Sequence, residues 1–236
     1  MNIHKAIQPL RKPDSLRGQI VDFMREAISS GRFQPGEKLV ERELCEMLDI
    51  SRTSLREALR QLEAEKLITT KLHRGPTVAT ISRAEAMDLY AVRALLESYA
   101  VGEFTQKASD REVKQLGALV GNLHAAAASG DKDQLLAAKA DFYDVILAGC
   151  GNQLVKEMLL GMLSRINLLR STSFSQRDRL QESLKEIDQL FALIEKRDAA
   201  AAHEAARQHV ISAEQAALAV LEQQETRLST TTAKER

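Results

Sequence analysis

Arg52, Thr53, Arg56 and Arg60 accompany a run in which Leu55, Ala58, Leu59 and Leu62 fall at i, i+3, i+4 and i+7. That spacing is one apolar stripe of a helix. At 100° per residue it leaves the arginines and Thr53 on the outward side. An outward row of guanidinium groups can neutralise phosphates, and it can fork to the O6 and N7 acceptors of guanine in a major groove. Ser51 precedes the run as a good N-cap, so Ser51, Arg52, Thr53, Ser54 and the free N–H groups of the first turn are offered to an anion together. A competing reading is a solvated helix face, with Arg60 paired to Glu57 or Glu63 and Arg42 to Glu46.

The surrounding elements favour the DNA reading. A first helix over about Ser15–Gly31 carries Leu16, Ile20, Phe23, Ala27 and Ile28 on one stripe and stops at Gly31. Phe33-Gln34-Pro35-Gly36 makes a turn. A second helix covers Glu41–Leu48, with Leu44 and Leu48 inward, and Asp49-Ile50 turns the chain into the arginine helix. After that helix, Leu67–Thr70, Lys71–Pro76 and Thr77–Ala79 read as a two-stranded wing with a basic tip that can reach a minor groove. Two short helices, a tight turn and a hairpin fit a major groove. Net charge is zero overall, yet residues 1–80 carry +3 and the remainder −3. Residues 51–74 concentrate six cations against three acids, the clustering to which a phosphate backbone responds.

Composition bounds the rest. A chain of 236 residues is long enough for two modest domains. With 4% aromatics, no Trp and abundant Ala and Leu, it points to helices. Cys45 and Cys150 match neither a disulfide framework nor zinc spacing, and each is expected to pack as a small apolar side chain. No signal peptide or membrane span is legible, so a cytoplasmic protein is expected. From Ser82 onward, caps mark six helices: Ser82 to about Lys107, Ser109 to Ser129, Asp131 to about Gly151, Asn152 to Ser171, Arg177 to Lys196, and Asp198 to Gln224. The predicted fold class is therefore mostly α: an N-terminal winged helix-turn-helix with a small β-wing (residues 1–80) and a C-terminal all-α six-helix bundle (81–224). A flexible tail is expected at 225–236. No Glu-x-x-His ligand set, phosphate-cradling Gly loop or nucleophile elbow is present, and Asp141 and Asp144 at i, i+3 fit a solvated face better than acid–base work. An enzyme is not expected.

Gly31-Arg-Phe-x-Pro-Gly-x-x-Leu, Glu41-Arg-Glu-Leu, Ser51-Arg-Thr and Arg56-Glu-Ala-Leu resemble the winged helix of the gluconate-repressor (GntR) family of bacterial regulators. The resemblance implies operator binding through Arg42, Ser51, Arg52, Thr53, Ser54, Arg56, His73, Arg74 and Gly75. Ser54 and Leu55 stand where many members have Pro and Val, which leaves the helix start usable but can shift base preference. In the second half, Val92-Arg93-x-x-Leu96-Glu97, the Phe142 to Asn152 spacing, and Asp198 with His209 resemble the FCD effector domain. Six helices are similar to its vanillate-regulator (VanR) branch.

Such domains hold a divalent metal through an Asp, a His four residues later and two further His, and use an Arg on their first helix for a small carboxylate effector. Carried onto this sequence, the Asp position is Lys139, the first His is Tyr143 and the second is Ile187, so only His209 survives. One imidazole with a lysine, a tyrosine and an isoleucine cannot hold zinc, and His203 does not share a face with His209. No metal or other cofactor is expected. Two readings of the pocket stay open. In one, Lys139 replaces the metal's charge and binds an organic-acid effector with Arg93, Tyr143 and His209. In the other, Lys139 faces solvent over a filled core. The expected partners are operator DNA, a small anionic effector and a second copy of the chain. The expected function is a regulator of transcription, with repression the commoner sign; the alternative is an effector-independent DNA-binding regulator.

Overall fold

A computed structural model describes residues 16–71, 75–173 and 177–234. Three helices open the chain: α1 (Leu16–Ser29), α2 (Glu41–Leu48) and α3 (Arg52–Ala64). The wing follows as β1 (Ile68–Lys71) and β2 (Gly75–Val78), antiparallel, with Ile68 opposite Val78 and Lys71 opposite Gly75. The segment before α2 joins the wing from the other side: Leu39 N–H donates to Pro76 O at 2.9 Å and Val78 N–H to Glu37 O at 2.9 Å. The alternation of β2 buries Pro76 and Val78, which anchors the hairpin on the core.

Six helices complete the described chain: α4 (Arg83–Lys107), α5 (Asp110–Ser129), α6 (Lys132–Gly149), α7 (Gln153–Ser173), α8 (Arg177–Glu195) and α9 (Ala199–Lys234). Capping boxes at Ser82–Glu85 and Ser109–Glu112 are complete, each hydroxyl and carboxylate satisfying an otherwise orphaned N–H. Asp131 Oδ1 accepts from the N–H groups of Asp133 and Gln134, and Asn152 Oδ1 from that of Val155. Two differences from expectation concern helix α1 and α9. Leu16 is exposed rather than inward, because the buried stripe runs Ile20, Val21, Met24, Ala27 and Ile28. Helix α9 does not fray at residue 225 but continues to Lys234, since no glycine or proline interrupts it.

The core is organised as two apolar clusters, and the boundary between them is not the one between DNA-binding end and helical end. One cluster joins α5, α6 and α8 with the second half of α4 and the first half of α9. The other takes the interior of α1, α2, α3 and the wing, and adds Ala86, Leu89 and Tyr90 of α4, Ile166, Leu168 and Leu169 of α7, and Val210 and Ala217 of α9. The helix-turn-helix therefore shares its core with three helices of the bundle. Arg32, just after α1, also pairs with Asp133 of α6 at 3.4 Å. No described helix is long and apolar enough to cross a membrane.

Helix α6 meets α4 closely. A Cβ added at Gly149 would stand 2.6 Å from Phe104 Cδ2, and Phe104 is fully buried. At Gly117 an added Cβ would meet Phe191 Cζ at 2.7 Å, but that ring is only half-buried and can swing. Alanine gains about 1 kcal/mol of helix propensity over glycine, while overpacking a fixed ring loses roughly 1–3 kcal/mol. Gly149→Ala is therefore expected to lower the urea midpoint, and Gly117→Ala to lower it less or raise it. The reverse order would contradict this packing.

Candidate nucleic-acid interface and buried polar site

Helix α3 presents its arginines as its sequence demands. Leu55, Ala58, Leu59 and Leu62 are buried, while Arg52, Thr53, Arg56 and Arg60 are exposed, as is Arg42 on α2. Ser51 caps the helix by accepting the Ser54 N–H at 3.1 Å, and the two hydroxyls lie 2.9 Å apart. The helix start is thus capped by a side chain, and Ser51, Arg52 and Thr53 are exposed there. Gly75 opens β2 with φ +76, a left-handed conformation that glycine adopts without strain. His73 and Arg74, predicted at the wing tip, lie outside the described residues.

Ion pairing on this face differs from the solvated-face alternative. Among the described residues, Arg60 has no pair with Glu57 or Glu63, nor Arg42 with Glu46. Glu63 instead accepts the Thr70 N–H at 2.9 Å, tying β1 to α3. Arg56 is the paired arginine: its Nε donates to Glu41 Oε2 at 2.9 Å and Oε1 at 3.2 Å, leaving the terminal nitrogens outward. Sequence reasoning missed Glu41, because the pair spans two helices rather than one helix turn.

A second polar site lies inside the bundle, where Arg93, Lys139, Tyr143 and His209 are all buried. The structure brings these four predicted residues together. Arg93 on α4 donates to Glu97 through Nε at 2.6 Å and Nη2 at 3.2 Å, and its guanidinium carbon lies 5.3 Å from the centre of the Tyr90 ring. Burial would weaken its basicity, but the Glu97 carboxylate and the neighbouring Tyr143 more than offset that, so Arg93 stays charged. Its third nitrogen, Nη1, is buried without a hydrogen-bond partner among the described residues. Lys139 does not face solvent: Nζ donates to Ser183 Oγ of α8 at 3.1 Å.

His209 completes the site from α9, with Nδ1 2.5 Å from Glu186 Oε2. Arg179 grips the same carboxylate with two N–H groups, at 3.0 and 2.8 Å. Burial pushes the Glu186 carboxyl upward, but the hydrogen bonds from His209 and Arg179 win and hold it at about 2. Burial lowers His209, Lys139 and Arg93 lower it further, and the Glu186 bond only partly opposes them, leaving it at about 4. The imidazole is therefore neutral near pH 7 and the carboxylate ionised.

Tyr90, Arg179, Ser183 and Glu186 belong to this site without having been picked out from sequence, and Glu97 stood there only within the Val92-Arg93-x-x-Leu96-Glu97 motif. Glu186 adjoins Ile187, the position where a histidine was sought, and Arg93 with Glu97 is a legible i, i+4 pair. A divalent cation does not fit the donor set. Lys139 contributes an ammonium, Ile187 is a buried hydrocarbon, and Glu186 is already neutralised by Arg179. Asp141 and Asp144 both face solvent.

Residues 16–78 match the model of the bacterial regulatory proteins of the gntR family, and residues 88–212 match the FCD domain. HTH-type transcriptional repressor GlaR of Escherichia coli K12 is 31% identical over 199 residues, which cover 80% of this chain and 90% of that protein. YdhC of Bacillus subtilis 168, an uncharacterized HTH-type transcriptional regulator, is 25% identical over 86% of this chain and 89% of its own length. Among solved structures, E. coli McbR/YncC superposes with a TM-score of 0.74 at 23% identity, covering 89% of this chain and 99% of that one. The last likeness is one of fold.

The buried imidazole makes stability depend on pH. In the unfolded chain His209 takes up a proton near 6.5, whereas in the fold it resists until about 4. Its stabilising effect is thus complete above 6.5 and is lost as pH falls from 6.5 toward 4, on the order of 3 kcal/mol in all. The Glu186 carboxyl acts lower, from its ordinary 4.5 down to about 2. In His209→Gln the amide can still donate to Glu186 but does not titrate. Unfolding free energy measured between pH 6.5 and 4.5 should fall less steeply in that variant than in wild type; parallel curves would mean that His209 is not held neutral.

Proposed function

This chain belongs to the gntR family of bacterial regulatory proteins and carries its FCD domain, which makes it a transcriptional regulator rather than an enzyme, and we propose that it is a repressor released from its operator by a small organic anion. On the DNA side, Arg42, Ser51, Arg52, Thr53, Ser54, Arg56 and Gly75, with His73 and Arg74 of the wing, make the operator contacts. On the effector side, Arg93, Lys139, Tyr143 and His209 hold the anion directly, without a metal. The observation that carries this reading is the buried, unpartnered Nη1 of Arg93. A guanidinium N–H taken out of water without an acceptor is unfavourable, and a ligand carboxylate relieves it. The internal pairs of Arg93, Lys139 and His209 favour a second reading, a regulator whose pocket is self-sufficient, but they leave this donor unused.

The buried polar site adjoins the core of the DNA-binding end. Tyr90, under the Arg93 guanidinium, and Val210, beside His209, both pack in the cluster that contains α1 to α3. A ligand that shifts Arg93 or His209 thereby shifts side chains against the helix-turn-helix. Coupling between two such sites is typically 1–3 kcal/mol. Glu85 ties the same elements together: it caps α4, pairs with Arg165 of α7 at 3.5 Å and lies near Lys66, which follows α3.

A second copy of the chain is the natural cover for an exposed apolar stripe. Val92, Leu95 and Tyr99 lie on one side of α4, and Leu154 and Met158 on the adjacent α7. Such a stripe, exposed on a single copy, marks an association surface. Two α3 helices would then meet successive major grooves of a near-palindromic operator.

Three measurements test this reading. In a mobility-shift assay with the DNA upstream of its own gene, Arg52→Ala combined with Arg56→Ala should weaken binding by roughly a hundredfold or more, at 1–3 kcal/mol per lost guanine contact. Unchanged affinity in a folded double variant would reject the interface. Calorimetry with candidate carboxylates should show binding that Lys139→Ala weakens, and equal affinity would remove Lys139 from the site. Leu95→Glu should turn the dimer into a monomer in analytical ultracentrifugation; a dimer of unchanged strength would place the partner elsewhere.

A further inference from the structure

On the face offered to DNA, one cation is treated unlike its neighbours. Arg42, Arg52, Arg56 and Arg60 are all exposed, yet among the described residues only Arg56 of these four has a carboxylate partner. Its Nε donates to Glu41 Oε2 at 2.9 Å and Oε1 at 3.2 Å. Glu41 is the first residue of α2, where free helix N–H groups favour a negative charge, and Val40 before it supplies no side-chain cap. Both side chains line one depression of about 190 Å³ between α3, the start of α2 and the wing, together with Arg60, Glu63 and Thr70. Glu63 is engaged there by the Thr70 N–H at 2.9 Å. Glu41 is set on a cation instead.

From this pair we propose that Glu41 is a specificity-determining positioning residue: it reserves Arg56 for the edge of a base and withholds it from the phosphate backbone. The inference rests on the operator reading above and deepens it. Two physical effects act together. The first is geometry. A guanidinium can fork to guanine O6 and N7 side-on, through Nε and one Nη, or end-on, through both Nη atoms. With Nε engaged by both carboxylate oxygens, the end-on fork remains, and no described residue accepts from its two nitrogens. The second is charge. A phosphate that approaches Arg56 also approaches the Glu41 carboxylate on the same guanidinium, and the two anions repel. A guanine edge offers those nitrogens neutral acceptors and meets less of that opposition. The two side chains are 60% and 29% exposed, so the restraint is slight. It still shifts the choice between backbone and base, because specificity is a difference between two affinities.

The test uses the full-length protein and two duplexes of equal length: one that the wild type selects from a randomised pool, and the same sequence scrambled. Glu41→Gln keeps an oxygen for Nε and removes the charge. It should raise affinity for the scrambled duplex by up to roughly fivefold, raise that for the selected duplex less, and so lower their ratio. The fall of log affinity with log salt on the scrambled duplex should steepen by about 0.9, the value of one added phosphate contact. In an Arg56→Ala background the same substitution should alter neither ratio nor slope. An unchanged ratio, or an equal gain on both duplexes, would overturn the role given to Glu41. So would a loss of ratio that persists without Arg56, because the carboxylate would then act elsewhere. If Arg56→Ala alone leaves the ratio at its wild-type value, Arg56 is not a base contact and the Glu41 role falls with it. A pool from which the wild type enriches no sequence would overturn the operator reading itself.

Discussion

The Arg93–Glu97 ion pair is the constraint around which the bundle is arranged. A buried guanidinium is tolerable only when its charge is met by an opposite charge and its donors by acceptors. Glu97, one turn on, supplies the charge and two of the bonds, and the Tyr90 ring supplies an apolar floor. These contacts fix the side chain on α4 and leave Nη1 without an acceptor among the described residues. The same position makes the residue consequential, because Tyr90 belongs to the core that α1, α2 and α3 share with α4, α7 and α9. A pair that served stability alone would be served as well by hydrocarbon; a pair that keeps a donor in reserve beside a shared core is suited to switching.

His209 and Glu186 form the second ion-pairing group of the buried site. Arg179 holds the Glu186 carboxylate, and that carboxylate meets His209 Nδ1 at 2.5 Å. Lys139, held by Ser183, takes the place where related domains would offer a carboxylate to a metal. The substitution is coherent as a set. With an ammonium there, a metal cation would be repelled, and the histidine that remains is engaged by Glu186 instead.

Much of this was legible in the sequence, and what was not has a physical pattern. The bounds of α2, the Ser51 cap of α3 and the two capping boxes follow from local spacing, because their partners lie within four residues. Arg93, Lys139, Tyr143 and His209 were found through resemblance to a family, not by any rule of spacing. Contacts between elements were missed. Glu41 reaches Arg56 across fifteen residues, and Glu186 reaches His209 across twenty-three. Neither separation repeats with helical period, so no one-dimensional pattern announces them. The exposure of Leu16 was misread for a related reason: at a helix start, a residue in phase with the stripe can still lie beyond the edge of the core.

Glu41 bears on how such a protein tells an operator from other DNA. With a net charge of zero, the chain has little general attraction for polyanions, so its affinity resides in the local face of α2, α3 and the wing. Within that face the Glu41 carboxylate already engages Arg56 Nε in the free protein. An ion pair this exposed is worth about 0–1 kcal/mol, too little to prevent Arg56 from forking to a guanine edge through its terminal nitrogens. It is comparable, however, with what one exposed phosphate contact would return. On the proposed interface Arg56 would thus gain little from bare backbone and more from a base edge, its Nε being already engaged by Glu41. On that proposal, specificity would come from restraining a cation as much as from presenting one.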